Sequence, residues 1–180
     1  GRVVAIIGSV EPWYEAVMLA WGARRLVVVE YGPRLSDDPR LSFVTPAAFA
    51  ACRRADIDLV VSISSYEHDG LGRYGDKLVP EADLAAMMQL RALVQAANPI
   101  RLVLAVPMGR DTVVFNAHRV YGRLRWWWLV ADWVVDDAEG VAQASAVAAT
   151  HNRFGVFDLA HDEHAQPVWL LRPARGASTS

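Results

Sequence analysis

Residues 56–76 read DIDLVVSISSYEHDGLGRYGD, an apolar run that stops abruptly in serines, titratable side chains and glycines. Glu67-His68 offers a base for a substrate oxygen or nitrogen, because histidine titrates near neutrality; the competing reading is a loop-shaping pair. Asp69, Arg73 and Asp76 read either as a salt-bridged loop scaffold or, for Arg73 and Asp76, as contacts to a substrate. A second polar cluster, Asn116, Ala117, His118, Arg119 and Tyr121, follows a later apolar run. Convergence of both clusters on one pocket makes His68, His118 and Asp76 the expected catalytic groups, with Arg73, Tyr74, Asn116, Arg119 and Tyr121 against the substrate. Metal ligation by the two histidines with Glu67 and Asp76 is the weaker reading, since ligands scattered over loops lack the dense spacing of a metal motif; no metal is expected. His161-Asp162-Glu163-His164 has a metal-like composition but precedes Gln166-Pro167, which reads as a solvated hairpin tip.

These groups need a scaffold, and the apolar runs supply one. Residues 59–63 are β-branched without strict alternation, as in a strand covered on both faces of a parallel sheet. Ligands sit beyond the carboxyl ends of such strands, where the polar loop begins. Gly70, Gly72 and Gly75 then bend the chain around Arg73 and Tyr74. Upstream, residues 3–7 form a strand ending in Gly8-Ser9, Pro12 suits a first helical turn, and 13–21 read as a helix closed by Gly22. The next strand, 26–29, ends on Glu30, followed by Tyr31. An acid about twenty residues beyond the first glycine turn is placed to grip ribose hydroxyls. A short strand at 41–45, a short helix at 46–54, a long helix from Pro80 to about 97 and a buried strand at 100–106 complete the alternation. Leu84, Met87, Met88, Leu90 and Val94 share one side of the long helix, and Asn98-Pro99 stops it. A helix around 122–131 and strands at 133–135, 153–159 and 168–171 follow, with 141–150 helical or irregular. The result is an α/β fold: a mostly parallel sheet, helices on both faces and an antiparallel edge hairpin. One domain over 1–172 and a disordered tail over 173–180 are expected.

A net charge of −2 and a pI near 6.2 leave no basic footprint for nucleic acid, so a small-molecule partner fits better. No apolar stretch is long enough to span a bilayer. The single Cys52 excludes an internal disulfide, reads as a buried thiol and is compatible with a reducing, cytoplasmic setting. The chain starts at Gly1 directly in a strand and reads as a fragment. Trp126, Trp127 and Trp128 cannot all face inward, because successive helical side chains point about 100° apart. An exposed indole there marks either a protein contact or a surface covered by a further segment.

The order of these pieces, with Glu30 closing the second strand, DLVVSISSYEH at the fourth and IRLVLAVP at the fifth, resembles a class I S-adenosylmethionine-dependent methyltransferase. GSVEPWYEA, SSYEHDGLGRYGD and NAHRVYG more specifically resemble an uncharacterised methyltransferase-like family first named from nematode sequences. The resemblance implies a Rossmann-like fold with S-adenosylmethionine as cofactor. It implies cofactor contacts at Gly8, Ser9, Glu11, Glu30 and Tyr31 and, from the fourth strand's loop, at Ser64, Ser65 and Glu67. The expected activity is methyl transfer to a small nucleophile; a non-catalytic binding or scaffold relative and another nucleotide-using enzyme are the alternatives. The first loop departs from the family pattern. Only Gly8 remains, Val10 and Pro12 narrow the cofactor space, and Glu11 adds a charge that either faces the cofactor's cationic groups or excludes it.

Overall fold

The structure is a computed structural model describing residues 1–51, 56–95, 100–140 and 164–174. The strand β1 (Val3–Ile7) leads through α1 (Trp13–Ala20) to β2 (Arg25–Val29), and β3 (Leu41–Val44) precedes α2 (Pro46–Ala51). Next come β4 (Leu59–Ile63), a 3-10 turn at Tyr66–His68, α3 (Ala82–Gln95) and β5 (Arg101–Ala105). Three short strands, β6 (Met108–Gly109), β7 (Thr112–Val114) and β8 (His118–Val120), lead to α4 (Arg125–Leu129). The chain closes with β9 (Trp133–Glu139), β10 (His164–Ala165) and β11 (Val168–Pro173).

Seven strands form one sheet in the order β3-β2-β1-β4-β5-β11-β9. The first five are mutually parallel, and β11 runs antiparallel to both β5 and β9. The closing pair therefore lies at the expected edge, with the last strand inserted so that β9 is outermost. Strand order reverses beside β1, which pairs with β2 on one side and β4 on the other. A crevice opens at such a reversal because the crossovers leave toward opposite faces.

Alternate residues of β1 explain why the sheet is covered twice. Val3 and Ala5 enter a cluster with Met87, Leu90 and Val94 of α3, whereas Val4 and Ile6 pack with Tyr14, Met18 and Leu19 of α1. Met88, expected on the inner side of α3, is instead 68% exposed, because its position falls off the arc that Met87, Leu90 and Val94 define. Farther along, Trp126 of α4 stacks on Trp169 of β11 with ring centroids 4.6 Å apart. Both rings are fully buried, and truncating either to alanine is worth about 3–5 kcal/mol. Trp127 and Trp128 face solvent, as the helical angle requires.

The polar stretch after β5 holds structure that its composition did not announce. β7 and β8 form an antiparallel hairpin, with Val114 opposite His118 and Asn116 at φ +55° in the turn. Asparagine tolerates that left-handed conformation better than most side chains. Cys52, Ala97-Asn98-Pro99, the expected elements at 141–150 and 153–159, His161 to Glu163 of the expected hairpin tip and the tail from 175 lie outside the described residues. No helix among the described residues is long and apolar enough to cross a membrane.

Candidate active site

A cavity of about 940 Å³ opens at the strand-order reversal. Gly8 after β1, Glu30 after β2 and His68 after β4 all line it, so three separate loops meet on one hollow. Phe49 of α2 and Ala86, Leu90 and Leu93 of α3 give it an apolar wall. That size is in the range of small-molecule sites, in which a few polar groups orient a ligand within apolar walls.

The first loop is fixed through its backbone. Gly8 has φ +73°, and a Cβ there would come within 2.2 Å of Ser65 Oγ, so glycine is what lets the β1 and β4 loops touch. The Gly8 N–H donates to Val29 O at 3.1 Å, tying the turn to the end of β2. The next N–H, of Ser9, donates to Glu30 Oε1, which orients the carboxylate toward the cavity it lines. Ser9 itself is fully buried, its hydroxyl 2.9 Å from Glu15 Oε2 and 3.0 Å from Glu11 O, two acceptors that share its one proton. Its side chain is therefore committed inside the protein rather than to a ligand. Val10, expected to narrow the cofactor space, is 70% exposed and forms part of the rim beside Glu11. Outward rotation of this turn leaves the hollow open.

The β4 loop carries the titratable groups. Ser64 ends the strand at φ +50°, a conformation that costs a non-glycine residue about 1–3 kcal/mol and is found where loops are held for function. The Gln166 side-chain amide donates to its hydroxyl. His68 Nδ1 lies 2.5 Å from Ala117 O. A carbonyl only accepts, so Nδ1 carries the proton and Nε2 of the neutral ring keeps its lone pair. Burial lowers the His68 pKa, aided by Arg73, His118 and Arg119 and opposed by the bond to Ala117. Glu67 Oε1 stands 3.7 Å from Nε2, yet the two do not form an ion pair at neutral pH. Burial pushes the Glu67 carboxyl up to about 7, and its Oε2 is buried with no hydrogen-bond partner. Glu67 does not line the cavity, unlike its neighbours Ser64, Ser65, His68 and Asp69.

Several expected site residues prove to be supports. Arg119 is 1% exposed; its guanidinium donates to Asp69 O at 2.5 Å, Pro80 O at 3.0 Å and Glu67 O at 3.4 Å. It clamps the histidine loop from behind and does not line the cavity. Tyr121 is fully buried and donates to Asp83 Oδ2 at 2.9 Å, an acid also held by Arg125 Nε at 2.9 Å. Asp76 accepts from the N–H groups of Gly72 and Tyr74, both at 3.2 Å, and so folds the glycine loop. Those bonds hold its carboxyl below the usual range against a partial burial that raises it. Arg73 sits over the Tyr74 ring, 5.7 Å from its centroid, rather than bridging to Asp69 or Asp76. Asn116 is exposed in the hairpin turn, and the His118 ring lies 6.4 Å from that of His68 without lining the cavity. Tyr74 and Tyr31 do line it.

Of two further acids, one was expected only as loop scaffold and the other was not expected at all. Asp69 lines the cavity, accepts from Tyr31 Oη at 3.4 Å and is pushed up to about 7 by burial. Asp83, fully buried at the start of α3, is the anchor for Tyr121 and Arg125. Only its place opposite two later arginines reveals it, and no local motif does. Among the described residues no group of three or more histidine, cysteine or acidic side chains is arranged to hold a metal ion.

In fold, the chain is similar to the Burkholderia thailandensis 1,6-didemethyltoxoflavin-N1-methyltransferase, solved with 1,6-didemethyltoxoflavin and S-adenosylhomocysteine bound. The TM-score is 0.60 at 18% identity, over 97% of this chain and 73% of that one. That likeness, with the sheet order above, makes this a class I methyltransferase fold. No curated protein matches by sequence. The family model described as Caenorhabditis protein of unknown function, DUF268, matches residues 2–153, and the chain therefore belongs to that family.

Proposed function

We propose that this chain is an S-adenosylmethionine-dependent methyltransferase acting on a small-molecule nucleophile. The observation that carries the reading is the meeting of Gly8, Glu30 and His68 on one cavity at the carboxyl ends of β1, β2 and β4. The neighbour of like fold binds S-adenosylhomocysteine, which supports the same cofactor here. S-adenosylmethionine, when bound, supplies a methyl group on a cationic sulfur.

The residues present suit that cofactor. Glu30 spends one oxygen on the Ser9 N–H and keeps the other for ribose hydroxyls. The N-terminal end of α1, where Val10, Glu11 and Trp13 form the rim, favours a carboxylate, while Glu11 favours the ammonium beside it. Phe49 and Leu90 give a flat base an apolar surface. Ser65 completes the contacts proposed for the cofactor.

Catalysis is mainly positional, since holding the acceptor in line removes most of the entropic barrier. His68 Nε2, unprotonated at neutral pH, takes the acceptor's proton, and Glu67 beside it helps to hold that proton. Tyr74 forms the acceptor's wall. Calorimetric titration with S-adenosylmethionine and S-adenosylhomocysteine tests the reading. Binding is expected with both, weakened at least about tenfold by Glu30→Ala, a loss of about 1.4 kcal/mol. Absence of heat with either ligand overturns it.

A further inference from the structure

The charged side chains that line the cavity are, apart from His68, all acids: Glu11, Glu30 and Asp69. Among the described residues no lysine or arginine lines it. The proposed function occupies Glu11 and Glu30 with the cofactor and leaves Asp69 unassigned. The Asp69 carboxylate has the Tyr31 hydroxyl at 3.4 Å as its hydrogen-bond partner, and among the described residues no basic side chain pairs with it. Arg119 approaches only the Asp69 backbone carbonyl, and Arg73 of the same loop lies over the Tyr74 ring. A carboxylate partly withdrawn from water without a counter-charge is costly, and a cation entering the hollow offsets that cost. Tyr31 brings an aromatic ring to the same carboxylate, the surface on which an ammonium or a flat ring is favoured. An anionic acceptor would instead meet the Asp69 carboxylate with no lysine or arginine among the lining residues to pair with it.

Resting on the reading that this cavity also takes the cofactor, we infer that the acceptor is a small amine with an aromatic body, its ammonium seated on Asp69 and its ring against Tyr31, the nitrogen becoming a nucleophile only once His68 Nε2 has taken its proton. Phosphorylated and carboxylate acceptors are disfavoured by the same carboxylate.

The test uses four matched probes of one body, benzylamine, benzyl alcohol, benzoate and phenyl phosphate, titrated by ligand-observed NMR into the full chain saturated with S-adenosylhomocysteine. Benzylamine is expected to bind at least about tenfold tighter than benzyl alcohol, with neither anion binding, and Asp69→Asn is expected to abolish the preference. The unmodified protein gives a second readout. Benzylamine remains an ammonium between pH 8 and 5.5, whereas Asp69 titrates near 7. Benzylamine binding should therefore fall about tenfold over that range while benzyl alcohol is unchanged. The groups that act on Asp69 are Tyr31, Tyr66, Glu67, Asp76, Asp83 and Arg119. Asp83 and Asp76 raise Asp69 and Arg119 lowers it, so the midpoint reports the whole set. Benzoate or phenyl phosphate binding as tightly as benzylamine, or a preference that survives Asp69→Asn, overturns the inference. Heat with S-adenosylhomocysteine but no amine preference sinks this inference alone. Without such heat the cofactor reading falls, and the contact of an amine with Asp69 is decided by the benzylamine titration on the free protein.

Discussion

The two halves of the cavity are held in different ways. On one side, Gly8, Ser9 and Glu30 are fixed by one another: a backbone N–H on a carboxylate 21 residues away and a glycine pressed against Ser65. On the other, the loop from Tyr66 to Pro80 is held by side chains from far along the chain, above all Arg119, whose guanidinium gathers three carbonyls 39 to 52 residues away. The first half is built of backbone contacts between neighbouring loops and the second of a buried polar network. Damage to the first should change ligand binding, whereas damage to the second should first unfold the loop.

The largest effect is expected from Arg119→Met. Removing its guanidinium leaves three carbonyls without that donor and takes one of two cations from Asp83, which keeps Arg125, at a cost of about 3–5 kcal/mol. Chemical denaturation measures it, and a loss below about 1 kcal/mol would break the distinction between the halves.

Glu67→Gln is expected to act in the opposite direction, and only above acidic pH. Folding raises the Glu67 carboxyl from 4.5 to about 7, so the folded state holds the proton more tightly than the unfolded one. Stability then falls as pH rises from about 4.5 through 7, and the penalty is complete above that. The substitution should stabilise the protein by up to about 3 kcal/mol at pH 8, with the gain vanishing near pH 4. Thermal unfolding at the two pH values checks it; a gain equal at both would mean that the carboxyl is not what titrates.

A smaller cost, about 1–3 kcal/mol, is expected from Gly8→Ala, through the left-handed backbone and the clash with Ser65. Pairing it with Ser65→Gly should restore the part due to the clash and leave the backbone part. Should the double variant be no better than the single one, the contact between the two loops is not what requires glycine.

The same contrast explains what was legible in the sequence. The strands β1, β2 and β4 each stood out as a short apolar run ending in a polar turn, and Gly8, Glu30 and His68 were found from their place beyond those ends. Such signals are local, because a strand covered on both faces must be apolar along its length. Arg119 and Tyr121 were misplaced as substrate contacts for the complementary reason. A polar residue in a loop after a strand looks the same whether it faces a ligand or, as here, a buried acid such as Asp83. The β7–β8 hairpin was hidden likewise, since its exposed Val113, Val114 and Phe115 break the inside-outside alternation that marks a strand. Asp69 was set aside as a scaffold residue because nothing in its neighbours announces that Tyr31 lies across from it.

The central claim is that one ligand touches the loops after β1, β2 and β4 together. Hydrogen–deuterium exchange of the full chain with and without S-adenosylhomocysteine tests it most directly. The account predicts slowed exchange at residues 8–11, 30–32 and 64–69 at once, at the same ligand concentration, with residues 112–120 unchanged. Slowing confined to one of the three loops, or centred on the hairpin instead, would contradict it.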